Sequence, residues 1–404
     1  MLLRIDSKVN HLLLANGFNN SLCVYTSYYD IFQKMIKSNL EYESIESIFI
    51  ESKYALEKVI GVLEKSINNT EYGLFLIKYI SNKVKLDFMK ATYSIVKENL
   101  TNIYNNNSND IYILFNKFQN YFTLNFDPLL YLLLLKYKKN NSLLAFEYNK
   151  QLQIFMDEIN TEDYEILSII KDSFNNGIVN IKTTDINLNY ELANIGKSEF
   201  QNHIKRIVKN KYPNVNDKAI KNLSKKFFEF QINNNPVLKI DDGFNGEIFR
   251  MSDEDKKQNI FYLHGAFHIY ELGNYIKKIL KTDETSFNDK LEDILEDETE
   301  ELIVVFQSEN KSDIIEGNEY LKKSFDRLGE IEGDIVIFGS SLEDNDKHIF
   351  NKINTNDKIH NVYISSSKLG FKKSFERASL LFPNKSIYGF DYETVTYSKC
   401  KDKK

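Results

Sequence analysis

Apolar and polar residues alternate between two patterns along the chain. The first pattern is the short unbroken apolar run. One begins at Val9, passes through Leu12, Leu13 and Leu14, and closes at the small-residue turn Ala15, Asn16 and Gly17. A run of this kind suits a strand buried on both faces of a parallel sheet. The second pattern is helical. It covers Ser21 to Ile36, and over residues 45–118 positions such as Ile48, Tyr54, Leu56, Ile60, Leu63, Leu74, Ile77, Ile80 and Val84 return at three- and four-residue intervals. This stretch is expected to be a helical layer, with the polar run Asn105 to Asp110 as a loop inside it.

Tyr121 to Phe126 reads as a second strand, and Pro128 stands where a first-turn proline opens the leucine-rich helix that follows, to Tyr137. Residues 138–257 are charged, Asn-rich and mostly helical in period, with Pro213 and Pro236 at turns. They show no strand-helix alternation and are expected to be an insertion. Its end, Asp241 to Gly246, is a turn cluster that fits either a plain loop or a lip over a site.

Beyond residue 258 the alternation resumes. Asn259 to Leu263, Leu302 to Phe306, Asp334 to Phe338, Asn361 to Ile364 and Ser386 to Tyr388 are apolar runs. Helical stretches at Tyr320 to Leu328, Lys347 to Ile353 and Phe371 to Leu381 lie between several of them, and the acidic stretch Asp283 to Glu301 reads as a solvated helix face or loop. Strands alternating with helices call for a parallel sheet covered on both faces. The expected fold is therefore α/β: a Rossmann-like parallel sheet flanked by helices, built from residues 1–137 and 258–404, with the mostly helical insertion at 138–257.

Composition narrows the function classes. The 404 residues include 42% hydrophobic and 27% charged residues, enough for a sizeable core. Lys and Arg number 52 against 58 Asp and Glu, a net charge of −6, so overall charge drives no binding to nucleic acid. The two cysteines, Cys23 and Cys400, make neither a disulfide framework nor a four-cysteine zinc site, which suits a reducing cytoplasm. The most apolar run, Leu129 to Leu135, is far short of the roughly 20 residues of a membrane-spanning helix, so a cytoplasmic protein with no membrane partner is expected.

In an open parallel sheet, ligands sit beyond the carboxyl ends of the strands where successive crossovers diverge. Four strand ends carry suitable residues. At Ala15-Asn16-Gly17-Phe18 a glycine lets backbone approach a phosphate in front of a helix N-terminus, or simply makes a tight turn. At Thr123-Leu124-Asn125-Phe126-Asp127 the Asn amide can hold a sugar hydroxyl or a water, while Asn125 and Asp127 equally suit an N-cap for the Pro128 helix. His264, in Leu263-His264-Gly265, is either a proton-exchanging group or a satisfied core histidine. Gly339-Ser340-Ser341-Leu342 offers two hydroxyls to a ribose or phosphate, or caps a helix.

In order and content these four segments resemble the sirtuin family, most closely its bacterial zinc-less branch of NAD-hydrolysing antiviral-defence proteins. The resemblance covers roughly residues 9–137 and 258–395. It implies that Asn125 positions the ribose or the attacking water, Asp127 contacts the nicotinamide carboxamide, and His264 is the general base. Gly17, Gly339, Ser340 and Ser341 would hold the diphosphate and adenosine, with Thr123 and Asn16 in the same motifs and Phe18 as a cover over the reacting carbon. Ala15 stands where the family often has Gly, and Ser365 where sirtuins often place an Asn on the adenosine ribose.

The implied activity is hydrolysis of NAD, as substrate, to nicotinamide and ADP-ribose. Two other outcomes stay open: a non-hydrolytic NAD or nucleotide sensor, and an ADP-ribosyltransferase. Because unrestrained NAD loss kills a cell, such an enzyme is expected to be held inactive by homo-oligomerisation, a partner or a small ligand, with the 138–257 insertion as the place for it. Sirtuin deacylases carry a zinc module on two Cys-x-x-Cys pairs, and this chain has none. Metal analysis of the purified protein is accordingly expected to find no stoichiometric zinc, and a bound zinc would return deacylation to consideration.

Overall fold

Leu12, Leu13 and Leu14 are each no more than 1% exposed, and the alternation of a strand sends them to opposite sides of one sheet. Leu12 and Leu14 join one core with Tyr121, Tyr262, Val336 and Phe338; Leu13 joins the other with Phe122, Phe261, Ile335 and Ile337. Burial on both faces is what an uninterrupted apolar run requires. The computed structural model describes residues 9–65, 71–135, 153–158, 163–169, 202, 204–206, 208–234, 241–251, 258–306 and 311–392.

The main sheet has six strands, all pairing in parallel: β1 (Val9–Leu14), β2 (Asn120–Thr123), β5 (Ile260–Tyr262), β9 (Gly333–Phe338), β10 (Ile359–Ser366) and β11 (Ser386–Asp391). Their order across the sheet is β11-β10-β9-β1-β2-β5. From β1 the chain moves one way to β2 and β5, whereas β9, β10 and β11 build outward on the other side. The switch point therefore falls at β1, between β2 and β9.

One face is covered by α1 (Asn16–Ser21), α2 (Tyr28–Ser38), α3 (Glu46–Glu51), α4 (Leu56–Lys65) and the 47-residue α5 (Glu71–Lys117). After α6 (Asp217–Asn234), α7 (Glu284–Glu296) and α8 (Lys311–Gly317), three helices cover the other face: α9 (Glu319–Glu330), α10 (Lys347–Thr355) and α11 (Phe371–Leu381). They contribute Leu328, Ile349, Phe350, Ile353 and Ala378 to the second core. A further helix starts at Leu129 and is described to residue 135, the backbone N–H of Leu132 donating to the Pro128 carbonyl.

Four expectations need correction. The polar run Asn105 to Asp110 is no loop, because α5 continues through it; no proline interrupts that helix, and low intrinsic propensity is a weak prior against tertiary context. The helical stretch expected from Ser21 to Ile36 begins only at Tyr28: Ser21 ends α1, a link follows in which Cys23 has φ 60°, and α2 starts where the Ser27 side chain accepts from Asp30 N–H. Cys23 is disulfide-bonded, whereas a reducing setting would keep it a thiol.

The larger correction concerns a second, five-stranded sheet, β3-β4-β7-β6-β8. It contains β3 (Phe244–Asn245), β4 (Ile248–Phe249), β6 (Gly265–Leu272), β7 (Tyr275–Lys278) and β8 (Glu300–Val304), all antiparallel. Leu302 to Phe306 thus belongs not to the parallel sheet but to this one, and Asp241 to Gly246 leads into its first hairpin. An apolar run reports burial and says nothing of which strand it pairs with. Of the insertion, 153–158, 163–169 and α6 are helical as expected, and much of the rest lies outside the described residues. Among the described residues, no helix is long and apolar enough to cross a membrane.

His11, in the middle of β1, is 1% exposed; its Nε2 lies 2.9 Å from the Glu332 carbonyl and its Nδ1 accepts from the Asn120 amide at 3.0 Å. Burial pushes its pKa down from 6.5 to about 4. The unfolded chain takes up this proton near pH 6.5 while the folded chain refuses it until about pH 4, so folded stability present above pH 6.5 drains away as pH falls through that window. Urea unfolding at pH 7.5 and 5.5 should show this loss, and His11→Gln should flatten the pH slope by about one proton.

Candidate functional site

The switch point opens into a cleft of about 320 Å³. Four neighbouring strands deliver their C-terminal residues to it: Gly339, Ser340 and Ser341 after β9, Ala15 and Asn16 after β1, Leu124 to Asp127 after β2, and His264 after β5. Tyr28 and Ile31 of α2, Thr92 of α5, and Val305 and Phe306 beyond β8 close the other side. Eight residues chosen from the sequence therefore share one cleft: Ala15, Asn16, Asn125, Asp127, His264, Gly339, Ser340 and Ser341.

A chain of buried amides sets the orientation of Asn125. Asn19, 1% exposed on α1, donates from Nδ2 to Asp127 Oδ2 at 2.7 Å and to Thr26 Oγ1 at 2.9 Å, and its Oδ1 accepts from Asn125 Nδ2 at 3.0 Å. The Thr26 hydroxyl in turn donates a hydrogen bond to Asn16 Oδ1. Because an ionised carboxylate can only accept, Asp127 fixes which way the Asn19 amide faces, and Asn19 in turn fixes Asn125, leaving Asn125 Oδ1 as the acceptor offered to the cleft. Asp127 also caps the helix after Pro128, its Oδ1 accepting from Leu129 N–H at 2.9 Å. Both of its oxygens are thus engaged inside the protein. Burial raises its pKa, against these hydrogen bonds.

His264 is 3% exposed. Its ring bonds the Leu124 carbonyl, and Nε2 has no hydrogen-bond partner although Asp346 Oδ1 is 3.7 Å away. The proton accordingly sits on Nδ1 and the Nε2 lone pair is unused. Burial, reinforced by Lys311 and opposed by Asp346, lowers the pKa from 6.5 to about 3, so the ring is neutral at ordinary pH. The glycine after it is required by geometry: Gly265 has φ +69°, and a Cβ there would run into the Ile303 carbonyl of β8. That contact, with Val305 N–H donating to the His264 carbonyl at 2.8 Å, carries the chain from one sheet to the other and holds His264 at the boundary.

Three side chains at this end were not legible beforehand. Asp346 accepts from Lys311 Nζ at 3.0 Å, and His348 lies with its ring centroid 5.6 Å from that of His264. Burial works against the Asp346 charge, but His264 and Lys311 together hold its pKa below the ordinary value. In sequence Asp346 is one of three acids in Glu343-Asp344-Asn345-Asp346, and only the tight turn after Leu342 decides which of them meets Lys311 and His264. Asn19, likewise, has no motif of its own.

Four expected contacts play supporting parts. Gly17 and Gly339 bring their backbones so close that a Cβ on either would collide with the other turn, and Gly17 N–H donates to the Gly339 carbonyl at 2.9 Å. The Phe18 amide is occupied by Ala15, so these two N–H groups serve the turn rather than a phosphate. The Phe18 ring packs edge-on against Phe338 in the core, 1% exposed, and does not cover the cleft. Thr123 Oγ1 accepts from Asn125 N–H at 3.0 Å, and Ser365 Oγ accepts from Gly339 N–H at 2.7 Å.

A profile described as a domain of unknown function, DUF4917, matches residues 223–378. That stretch holds His264, Lys311, Gly339 to Ser341 and Asp346, and leaves β1 and β2 outside it. No curated protein matches the chain. Among the described residues, no group of three or more His, Cys, Asp or Glu side chains is placed to hold a metal ion.

The amide network predicts its own weak point. Asn19→Ala removes a donor from the buried Asp127 carboxylate and releases the half-buried Asn125 amide, a loss of about 1–3 kcal/mol. Thermal unfolding should fall by several degrees, and an unchanged midpoint would refute the network.

Proposed function

We propose that this cleft hydrolyses NAD to nicotinamide and ADP-ribose, on a Rossmann-like domain resembling that of the zinc-less sirtuin relatives. The observation that carries the reading is the pairing of Asn125 and His264 across one cleft at the switch point, the first offering an oriented amide oxygen and the second an unpartnered, neutral Nε2. The C1′–N bond of the nicotinamide riboside breaks and its electron pair neutralises the pyridinium nitrogen. Water adds to C1′, and its proton passes to His264 Nε2, a role worth typically 10²–10⁴-fold. Asn125 Oδ1 holds the water or a ribose hydroxyl, and Phe126, Val305 and Phe306 keep bulk solvent from the reacting carbon.

Asp127, with both oxygens already accepting, acts in this scheme through Asn19 and Asn125 rather than on the carboxamide. Gly339, Ser340 and Ser341 lie on the side that would take the adenosine half. The resemblance alone extends the reading to a regulated effector of antiviral defence. The burial of His264 beside Lys311, which pushes its pKa down and weakens it as a base, favours nucleotide binding without turnover.

Liquid chromatography of NAD incubated with the parent protein and with His264→Ala separates these readings. The variant should stay folded, keep NAD affinity within several-fold and lose turnover by about 10²-fold or more. A folded variant that still cleaves NAD at the parent rate sinks the assignment, and NAD left intact by the parent points to binding alone.

A further inference from the structure

Lys311 is the one Lys or Arg among the described residues lining the cleft, and it is 8% exposed. Three acids line the same cleft, and none presents an unbalanced charge at its mouth. Glu343 is clamped by both terminal nitrogens of Arg377, at 2.7 and 2.9 Å, Asp127 is bonded on both oxygens, and Asp346 is held by Lys311. With Glu343 and Asp346 balanced by cations and Asp127 turned onto neutral donors inside the protein, an anionic ligand meets little repulsion at the mouth, but a buried anion still needs a positive partner. The cleft contains one, and it is committed to Asp346.

Asp346 has two possible partners. Its Oδ1 is 3.0 Å from Lys311 Nζ and 3.7 Å from His264 Nε2, the latter unpartnered and buried. We propose that Lys311 is the ligand for the diphosphate of a nucleotide in this cleft, and that the phosphate takes Lys311 from Asp346, leaving Asp346 as the carboxylate that faces His264 Nε2 when that nitrogen gains a proton. This rests on the reading of the cleft as an NAD site. It adds a control to that reading, because only when a diphosphate is bound is Asp346 free to stabilise the proton that Nε2 takes from the water. The groups facing His264 in this exchange are Lys311 of α8, Asp346 in the turn before α10, and His348 of α10.

The two members of the pair should respond to substitution in opposite directions. Calorimetry with ADP-ribose as the diphosphate probe and adenosine as the phosphate-free control should show Lys311→Met weakening ADP-ribose binding tenfold or more, with adenosine affinity within twofold. Asp346→Asn removes the competitor for the ammonium and should tighten ADP-ribose several-fold. Lys311→Arg, which keeps the charge and guards against a misfolded Met variant, should stay within a few-fold of the parent. Parent-like affinity in Lys311→Met overturns the inference, and weakening by Asp346→Asn overturns the exchange by showing that the pair is only a scaffold. A parent that binds ADP-ribose but never cleaves NAD removes hydrolysis and leaves this inference standing; a parent that does not bind ADP-ribose removes both.

Discussion

The contact on which the rest depends is backbone against backbone, between the turns that end β1 and β9. Ala15 N–H donates to the Phe338 carbonyl and Gly17 N–H to the Gly339 carbonyl, both at 2.9 Å, with no room for a Cβ on either glycine. This close approach continues the β1–β9 pairing past the last strand residues. Asn16 and Ser340 consequently enter the same cleft, and α1 is tilted so that Asn19 reaches across to Asp127 and Asn125. Side chains of any size at positions 17 and 339 would separate the two halves of the sheet at the point where the chain changes direction.

A second constraint acts at the opposite wall. His264 is the hinge between a parallel and an antiparallel sheet, and the glycine after it lets β6 pass directly over the Ile303 carbonyl. The antiparallel sheet then supplies Val305 and Phe306 as a lid of apolar surface over the strand ends. The cleft is therefore dry on one side and lined with amides and hydroxyls on the other, as expected of a site that must orient a polar ligand and exclude water.

Buried charge is handled consistently through the molecule. Lys278 and Asp242 form an ion pair beneath the second sheet, with the lysine ammonium over the Phe244 ring, and Lys311 and Asp346 do the same at the cleft. Breaking either pair by removing one partner leaves an uncompensated charge in a low-dielectric setting. Each pair lies beside a histidine with an unpartnered nitrogen, His268 for the first and His264 for the second, and the difference is that the second pair lines the cleft. The same pairing that stabilises the fold is there available for exchange.

Much of this was legible in the sequence, for a physical reason. A strand buried on both faces must be apolar throughout, so Leu12 to Leu14 and Ile335 to Phe338 declare themselves; and a parallel sheet places its polar residues at strand ends, so Asn125, His264 and Ser340 could be placed at one edge without coordinates. Pairing partners are not encoded in that pattern. The second sheet and the core position of Phe18 were decided by contacts between residues far apart in the chain, and the continuation of α5 through Asn105 to Asp110 shows that a polar composition is compatible with helix as well as loop. Asn19, Lys311 and Asp346 carry no local signature, because what makes them part of the site is which neighbours the tertiary fold sets within hydrogen-bonding distance. Sequence alone determined which residues could do chemistry at the strand ends; only the folded structure decided which of them are already spoken for, since a carboxylate or an amide is spent or available according to partners that lie from 34 to 108 residues away.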